Sequence, residues 1–154
     1  MAEKARPNSS TRQLSFTADV KALSEKFHQT VTGFAFPYGV GASKSREALK
    51  AAGIKYARLA TSKPGFRFPE DPLAMPLSCW HISPKTFELL DDFIHMEAGD
   101  EDAFFLMFAH GYEFDFGTKE SNWDKFRRIC ETVANCDEII GCSIGDAFRM
   151  HEEK

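Results

Sequence analysis

The sequence has little cysteine and no long hydrophobic run. Its four cysteines include no C-x-x-C pair, so a disulfide framework is not expected. No apolar stretch approaches the roughly 18 residues that a membrane-spanning helix needs. Residues 1–15 also lack the hydrophobic segment of a secretory signal. We therefore predict no membrane partner and a reducing compartment, the cytoplasm.

Strong positive charge and the common metal and nucleotide motifs are also absent. Asp and Glu number 23 against 19 Lys and Arg, for a net charge of −4, which argues against nucleic acid as a partner. The sequence contains no H-E-x-x-H, no H-x-x-x-H and no paired-cysteine site, so we expect no metal or other cofactor to be held by this chain. It has no P-loop or dinucleotide fingerprint either.

Apolar and aromatic residues are abundant. Hydrophobic residues make up 43% of the chain and 15 residues are Phe, so a buried core is expected. A length of 154 residues favours one domain. Residues 1–16 are polar and without periodicity, which predicts a disordered tail followed by one folded region over 17–150.

Strand-like and helix-like segments alternate along that region. Nearly continuous apolar runs predict strands within 31–37, 54–60, 76–82, 103–110 and 137–145. Helices are predicted to start near Thr17, Ser43, Ser83 and Ser121, with Gly53 ending the second. The fourth helix should turn Trp123, Phe126, Ile129 and Val133 inward. Parallel strands covered by helices, an α/β class, follow from this order.

Polar and aromatic residues follow three of the predicted strands. In parallel α/β folds, functional residues gather where strands end. The sequence therefore predicts a pocket, and its lining residues would be Tyr38, His81, His110, Tyr112 and Glu113. The alternative is that the histidines at the strand ends are structural and that Tyr38 only belongs to a turn.

Cys79 and His81 offer another possibility at the third predicted strand. Their i, i+2 spacing in a strand would place both side chains on one face, so a thiolate–imidazole pair is conceivable. An inert buried cysteine is the alternative.

Two stretches carry a family resemblance: "FAFPYG" at 34–39 and "HGYEFD" at 110–115, the latter followed by Trp123. Together with the segments between them, they make residues 18–149 resemble the C-terminal part of a polysaccharide deacetylase of the NodB-homology family, carbohydrate esterase family 4. The resemblance implies part of a (β/α)7 barrel and hydrolysis of acetamide C–N bonds in N-acetylated sugars. It also implies a divalent metal such as zinc at the rim.

Particular roles follow from the resemblance alone. It implies that the backbone N–H of Tyr38 stabilises the oxyanion and that His110 is the general acid. Apart from the resemblance, the position of Trp80, His81, Tyr112 and Glu113 at the strand ends predicts that they contact the substrate, an acetylated carbohydrate.

The chain also departs from the family pattern. It contains neither T-F-D-D nor H-x-x-x-H, the segments that carry the family's catalytic base and metal ligands. Gly111 stands in the place of a serine, and Ala35 lies where many members have an arginine. We therefore expect a truncated deacetylase-like protein that is inactive alone and that forms a homo-oligomer or binds a complementing N-terminal half. The alternatives are a non-catalytic carbohydrate-binding or interaction module, and an independent hydrolase using Cys79 and His81 or His110.

Overall fold

The computed structural model describes residues 9–39, 41–97 and 102–154, with side chains from Ser15 onward. The sequence length favours one domain, but the chain divides into two compact units. The first unit ends at Leu59 and also takes in Asp71–Met75. The second unit comprises Ala60–Glu70 and Pro76–Lys154.

Short strands alternate with helices along the described residues. The helices are α1 (Ser9–Phe27), α2 (Ala42–Ala51), α3 (Thr86–Ile94), α4 (Trp123–Ala134) and α5 (Ile144–Glu152). The strands are β1 (Gly33–Ala35), β2 (Tyr56–Ser62), β3 (Met75–Leu77), β4 (Cys79–Trp80) and β5 (Met107–Phe108). Three 3₁₀ turns cover Pro37–Gly39, Pro72–Ala74 and Gly111–Phe116. Among the described residues, no helix is long enough and apolar enough to cross a membrane.

The strands form two small sheets. Strands β1, β2 and β3 are neighbours in that order, and β4 pairs with β5. The β1–β2 and β4–β5 pairs are both parallel. This confirms the α/β class and the parallel pairing. No barrel closes over the described part of the chain.

An apolar cluster forms the core of the first unit. Its buried members are Phe36, Leu49, Ile54, Ala57 and Leu73. Helix α2 ends at the predicted glycine: Gly53 has a φ of 83°, and the next N–H, that of Ile54, donates to the Leu49 carbonyl at 3.0 Å. Glycine adopts this left-handed conformation without a Cβ penalty, so the chain reverses there and delivers Ile54 to the core.

None of the four predicted caps stands at the start of its helix, and for α3 the cap position is Lys85 rather than Ser83. Helix α1 begins at Ser9, not at Thr17, so residues 9–16 of the predicted tail are helical, while residues 1–8 lie outside the described range. Apolar periodicity becomes visible only further along this helix, which hid its polar first turns. Helix α2 is capped by Gly41 rather than Ser43, and α4 by Asn122 rather than Ser121. The Asn122 side chain accepts the Lys125 N–H at 2.7 Å, which is the bond a cap must make.

The predicted final strand over 137–145 is also wrong. Ser143 has extended backbone angles, and its hydroxyl accepts the Asp146 N–H at 3.1 Å, so α5 starts at Ile144. Residues 137–143 carry no strand assignment in the structure. An apolar run becomes a strand only when another strand supplies hydrogen bonds, and periodicity does not report that partner.

Candidate functional site

The ends of β4 and β5 meet at one edge of the second unit. These strands pair in parallel with Trp80 opposite Phe108, so the chain leaves both at the same side of the sheet. The His81 N–H donates to the Phe108 carbonyl at 2.9 Å and extends this pairing. The five predicted site residues of the second unit therefore gather in one region: Trp80, His81, His110, Tyr112 and Glu113.

A row of aromatic rings, here called the aromatic platform, consists of Trp80, Phe108, His110, Tyr112 and Phe116. Successive ring centroids lie 5.8, 4.7, 5.3 and 6.0 Å apart. The His110 and Tyr112 rings stack at an interplanar angle of 19°. Tyr112 is 63% exposed and Phe116 is 61% exposed. The platform thus presents flat apolar faces to solvent beside an imidazole.

Glu113 fixes the backbone on which His110 sits. Its carboxylate accepts the His110 N–H at 3.2 Å, and its own N–H donates to the His110 carbonyl at 3.0 Å. These reciprocal bonds close the first turn of the Gly111–Phe116 segment. The buried Glu113 side chain therefore orients His110 from inside the unit in this structure.

Behind the platform lies a group of buried polar residues, here called the polar core: His81, Thr86, Glu113, Ser121 and Lys125. The His81 side chain reaches Ser121 Oγ through Nε2 at 2.9 Å. Because the Ser121 hydroxyl donates to the Glu113 carbonyl, His81 Nε2 must be the donor to Ser121. His81 Nδ1 is buried without a hydrogen-bond partner and lies 3.6 Å from Glu113 Oε2.

Burial determines the charge of His81. It is the largest influence and lowers the pKa of His81 below 6.5, whereas the Glu113 carboxylate opposes this shift. His81 is 0% exposed, which fits a neutral imidazole at neutral pH. A neutral ring with its proton on Nε2 leaves Nδ1 as an unsatisfied acceptor.

Lys125 ties α4 to the segment after β4. Its ammonium donates to the carbonyls of His81, Ser83 and Glu120, the last two at 2.9 and 3.1 Å. Burial lowers the pKa of Lys125, since the charged form is desolvated. Three carbonyl acceptors satisfy all three N–H groups of a charged lysine.

Two residues of α4, Trp123 and Lys125, lie differently from the prediction. Trp123 was predicted to face inward, but it is half exposed and its indole N–H donates to Asp115 at 2.7 Å. Lys125 is four residues before the buried Ile129, so the two share a helix face. That spacing was the available signal, and the charge of Lys125 concealed it.

The order Ser121–His81–Glu113 resembles a nucleophile, a base and a carboxylate, but it does not make a reactive centre here. Ser121 is buried and its hydroxyl proton is already given to a main-chain carbonyl. A nucleophile must be reachable by substrate and must pass its proton to the base. The geometry therefore suits a structural network.

Cys79 is likewise unsuited to attack. It is 2% exposed, and burial raises its pKa to about 11, with Lys125 opposing the shift. The thiolate is the nucleophilic form, so at neutral pH almost none is present. The structure thus argues against a thiolate–imidazole pair of Cys79 and His81.

Tyr38 belongs to the first unit, in the turn after β1. Its side chain is 97% exposed, and its φ of 55° is uncommon for a residue other than glycine. The Gly39 N–H closes the turn on the Phe36 carbonyl at 2.9 Å. Strained, exposed turns of this kind are enriched at functional positions.

The divalent metal implied by the resemblance does not fit the residues that the structure describes. Among them, no three His, Cys, Asp or Glu side chains are grouped so that they could hold an ion. The His81–Glu113 pair is buried and has no third such ligand beside it. We therefore derive no step through a metal from this chain.

No protein-family model, curated protein or solved structure gives a significant match to the chain.

Proposed function

We propose that the chain is the C-terminal part of a polysaccharide-deacetylase-type (β/α)7 barrel and that its ligand is an N-acetylated carbohydrate. Two features support this. The stretch "FAFPYG" covers the end of β1 and the turn after it, and "HGYEFD" follows the end of β5. Each of these strands pairs in parallel with a neighbour, β1 with β2 and β5 with β4, as the barrel would require.

The observation that carries the proposal is the placement of His110. It is exposed, follows β5 directly, is held by Glu113 through its backbone and stacks on an exposed tyrosine. A protonated imidazole so presented could give its proton to the nitrogen of a breaking acetamide C–N bond, which lets the amine leave neutral. Glu113 and His81 then act as positioning residues, while Trp80 and Tyr112 contact the sugar.

The chain would not complete this reaction alone. Its sequence has neither of the segments that supply the family's base and metal ligands. An acetamide carbonyl is a poor electrophile, so the attacking water needs activation that His110 and Tyr38 do not provide. We propose that a complementing polypeptide or segment carrying those groups completes the site, because a second copy of this chain would bring neither of them.

A second function, sugar binding without hydrolysis, is favoured by the exposure of the aromatic platform. Flat aromatic faces pack against the apolar faces of sugar rings, and neighbouring polar groups can then bond the hydroxyls. Tyr112 and Phe116 lie at one end of the platform and Trp80 at the other.

Both functions are tested by one set of measurements on the chain itself. Chitotetraose is titrated into the protein by isothermal calorimetry, and acetate release is assayed in parallel. We expect saturable binding that Tyr112→Ala weakens about tenfold, as for loss of one stacking contact. Phe27→Ala, which removes an exposed aromatic ring from the first unit, is the matched control and should not change binding.

We expect no acetate from the chain alone. Absence of any saturable heat would contradict both functions. Acetate release that His110→Ala abolishes would contradict the proposal that the chain is inactive alone, and it would make His110 catalytic in this chain.

A further inference from the structure

A cavity of about 620 Å³ lies within the second unit, apart from the aromatic platform residues. Its walls are predominantly apolar, and they include Phe93, Phe105, Val133, Ile139, Ile144 and Met150. Pockets that bind small molecules usually have this size and this apolar character, with a few polar groups.

Helix α5 forms one wall of this cavity, yet the helix itself is not buried. None of its residues is buried, although Ile144, Ala147 and Met150 line the cavity. The helix is held instead at its edge, where Phe148 meets Phe68 at 5.0 Å. An amphipathic helix normally buries its apolar side, so the space beneath α5 leaves that burial incomplete.

Charged groups lie at the C-terminal end of α5. Asp102 accepts from His151 Nδ1 at 2.9 Å and from the Lys154 ammonium. The His151 ring also stacks on Phe68 at 3.9 Å between centroids. Asp102, His151 and Lys154 all line the cavity, so its apolar interior opens onto a polar rim.

The group at this rim that can still donate hydrogen bonds is a cation, the Lys154 ammonium. One carboxylate, Asp102, is shared by two donors, and the 70% exposed Lys154 side chain has further N–H groups to give. Glu138 also lines the cavity, but its side chain is exposed and can stay hydrated. An incoming anion would therefore find a donor in Lys154, whereas an incoming cation would find only the exposed Glu138 carboxylate, since Asp102 is already shared by two donors.

We propose that this cavity binds a medium-chain aliphatic carboxylate, with its chain beneath α5 and its carboxylate on Lys154. The chain would complete the burial of the apolar side of α5. The carboxylate would add a charge-assisted hydrogen bond at the rim. This site is independent of the proposed sugar ligand, since none of the aromatic platform residues lines it.

Calorimetric titration with decanoate, decanol and decyltrimethylammonium, each below its micelle concentration, tests the proposal. We expect decanoate to bind saturably and tightest. Lys154→Met should weaken decanoate about tenfold and leave decanol unchanged, because one charge-assisted contact is lost. Lys119→Met, at another exposed lysine, is the matched control and should change neither.

Ala147→Trp should weaken all binding, because the indole would occupy part of the cavity in which the aliphatic chain is placed. A thermal melt of each variant confirms that it is folded. The proposal is overturned if decanoate shows no saturation, if decanol or the ammonium compound binds as tightly, or if Ala147→Trp binds decanoate like the wild type.

Discussion

The two compact units differ in what they bury. The buried side chains of the first unit are apolar, with Leu49, Ala57 and Met75 at 0% exposure. All five buried polar or charged residues among those described belong to the second unit, where they form the polar core. Three of the five candidate residues that lie in the second unit either belong to this core or contact it directly: His81, His110 and Glu113.

This difference has an energetic consequence. An apolar core loses stability in proportion to the area and volume that a substitution removes. A buried hydrogen-bonded network behaves differently, because removing one member leaves its partners buried and unpaired. The second unit should therefore be more sensitive to single polar substitutions, and the first to changes of shape.

The largest effect is expected at Lys125. Replacing it with methionine keeps most of the apolar stem but strands three carbonyls, those of His81, Ser83 and Glu120. We expect the free energy of unfolding to fall by about 3 kcal/mol. Urea denaturation of wild type and Lys125→Met measures it.

Lys119→Met provides the control for this comparison, because Lys119 is exposed. Its free energy of unfolding should stay within about 0.5 kcal/mol of wild type. A loss at Lys125 no larger than that would mean that the polar core contributes little.

A smaller effect is expected at Gly33 in the first unit, through shape alone. A Cβ at Gly33 would collide with the Tyr56 ring, which packs over this position from the paired strand and would lie 2.9 Å away at its Cζ atom. We expect Gly33→Ala to cost about 2 kcal/mol, within the usual range for overpacking. Denaturant unfolding followed by circular dichroism measures this loss.

Gly141→Ala is the matched substitution in the second unit. An added Cβ there meets nothing within 4 Å, and its φ lies outside the left-handed region. Its stability should match or slightly exceed that of wild type. Equal losses at both glycines would contradict the packing argument.

Local chemistry predicted much of this architecture. Gly53 ends α2 as expected, and the strand-end rule correctly grouped His81, His110 and Glu113, because parallel pairing alone decides which ends meet. The helix over Lys125 is confirmed, as is the inward position of Ile129, but Trp123 is half exposed and Lys125 is buried. A lysine is buried only when carbonyls from distant segments converge on it, and no local pattern reports them.

The errors have the same origin. The apolar run at 137–143 becomes no strand because strand formation depends on a neighbour, and Ser143 instead starts α5. His81 and Glu113 were predicted to contact a sugar, but both are buried, and we therefore propose them as positioning residues instead. The partner of the His81 ring is Ser121, forty residues further along the chain, so sequence alone offered no sign of this contact.

The smallest expected effect concerns the protonation of His81 in the second unit. His81 faces Glu113 from the Gly111–Phe116 turn and Lys125 from α4, with His110 also nearby, and burial lowers its pKa below 6.5. As the pH falls through 6.5, His81 is protonated more readily in the unfolded chain than in the folded chain. Protonation therefore stabilises the unfolded state relative to the folded state, and the free energy of unfolding falls. The slope can reach at most about 1.4 kcal/mol per pH unit for one group.

Urea unfolding between pH 7.5 and 5 should show this slope in wild type and a shallower one in His81→Gln. His95→Gln, at an exposed histidine on α3's end, should keep the wild-type slope. A wild type that gains stability as the pH falls would instead mean that a His81–Glu113 ion pair forms and outweighs burial.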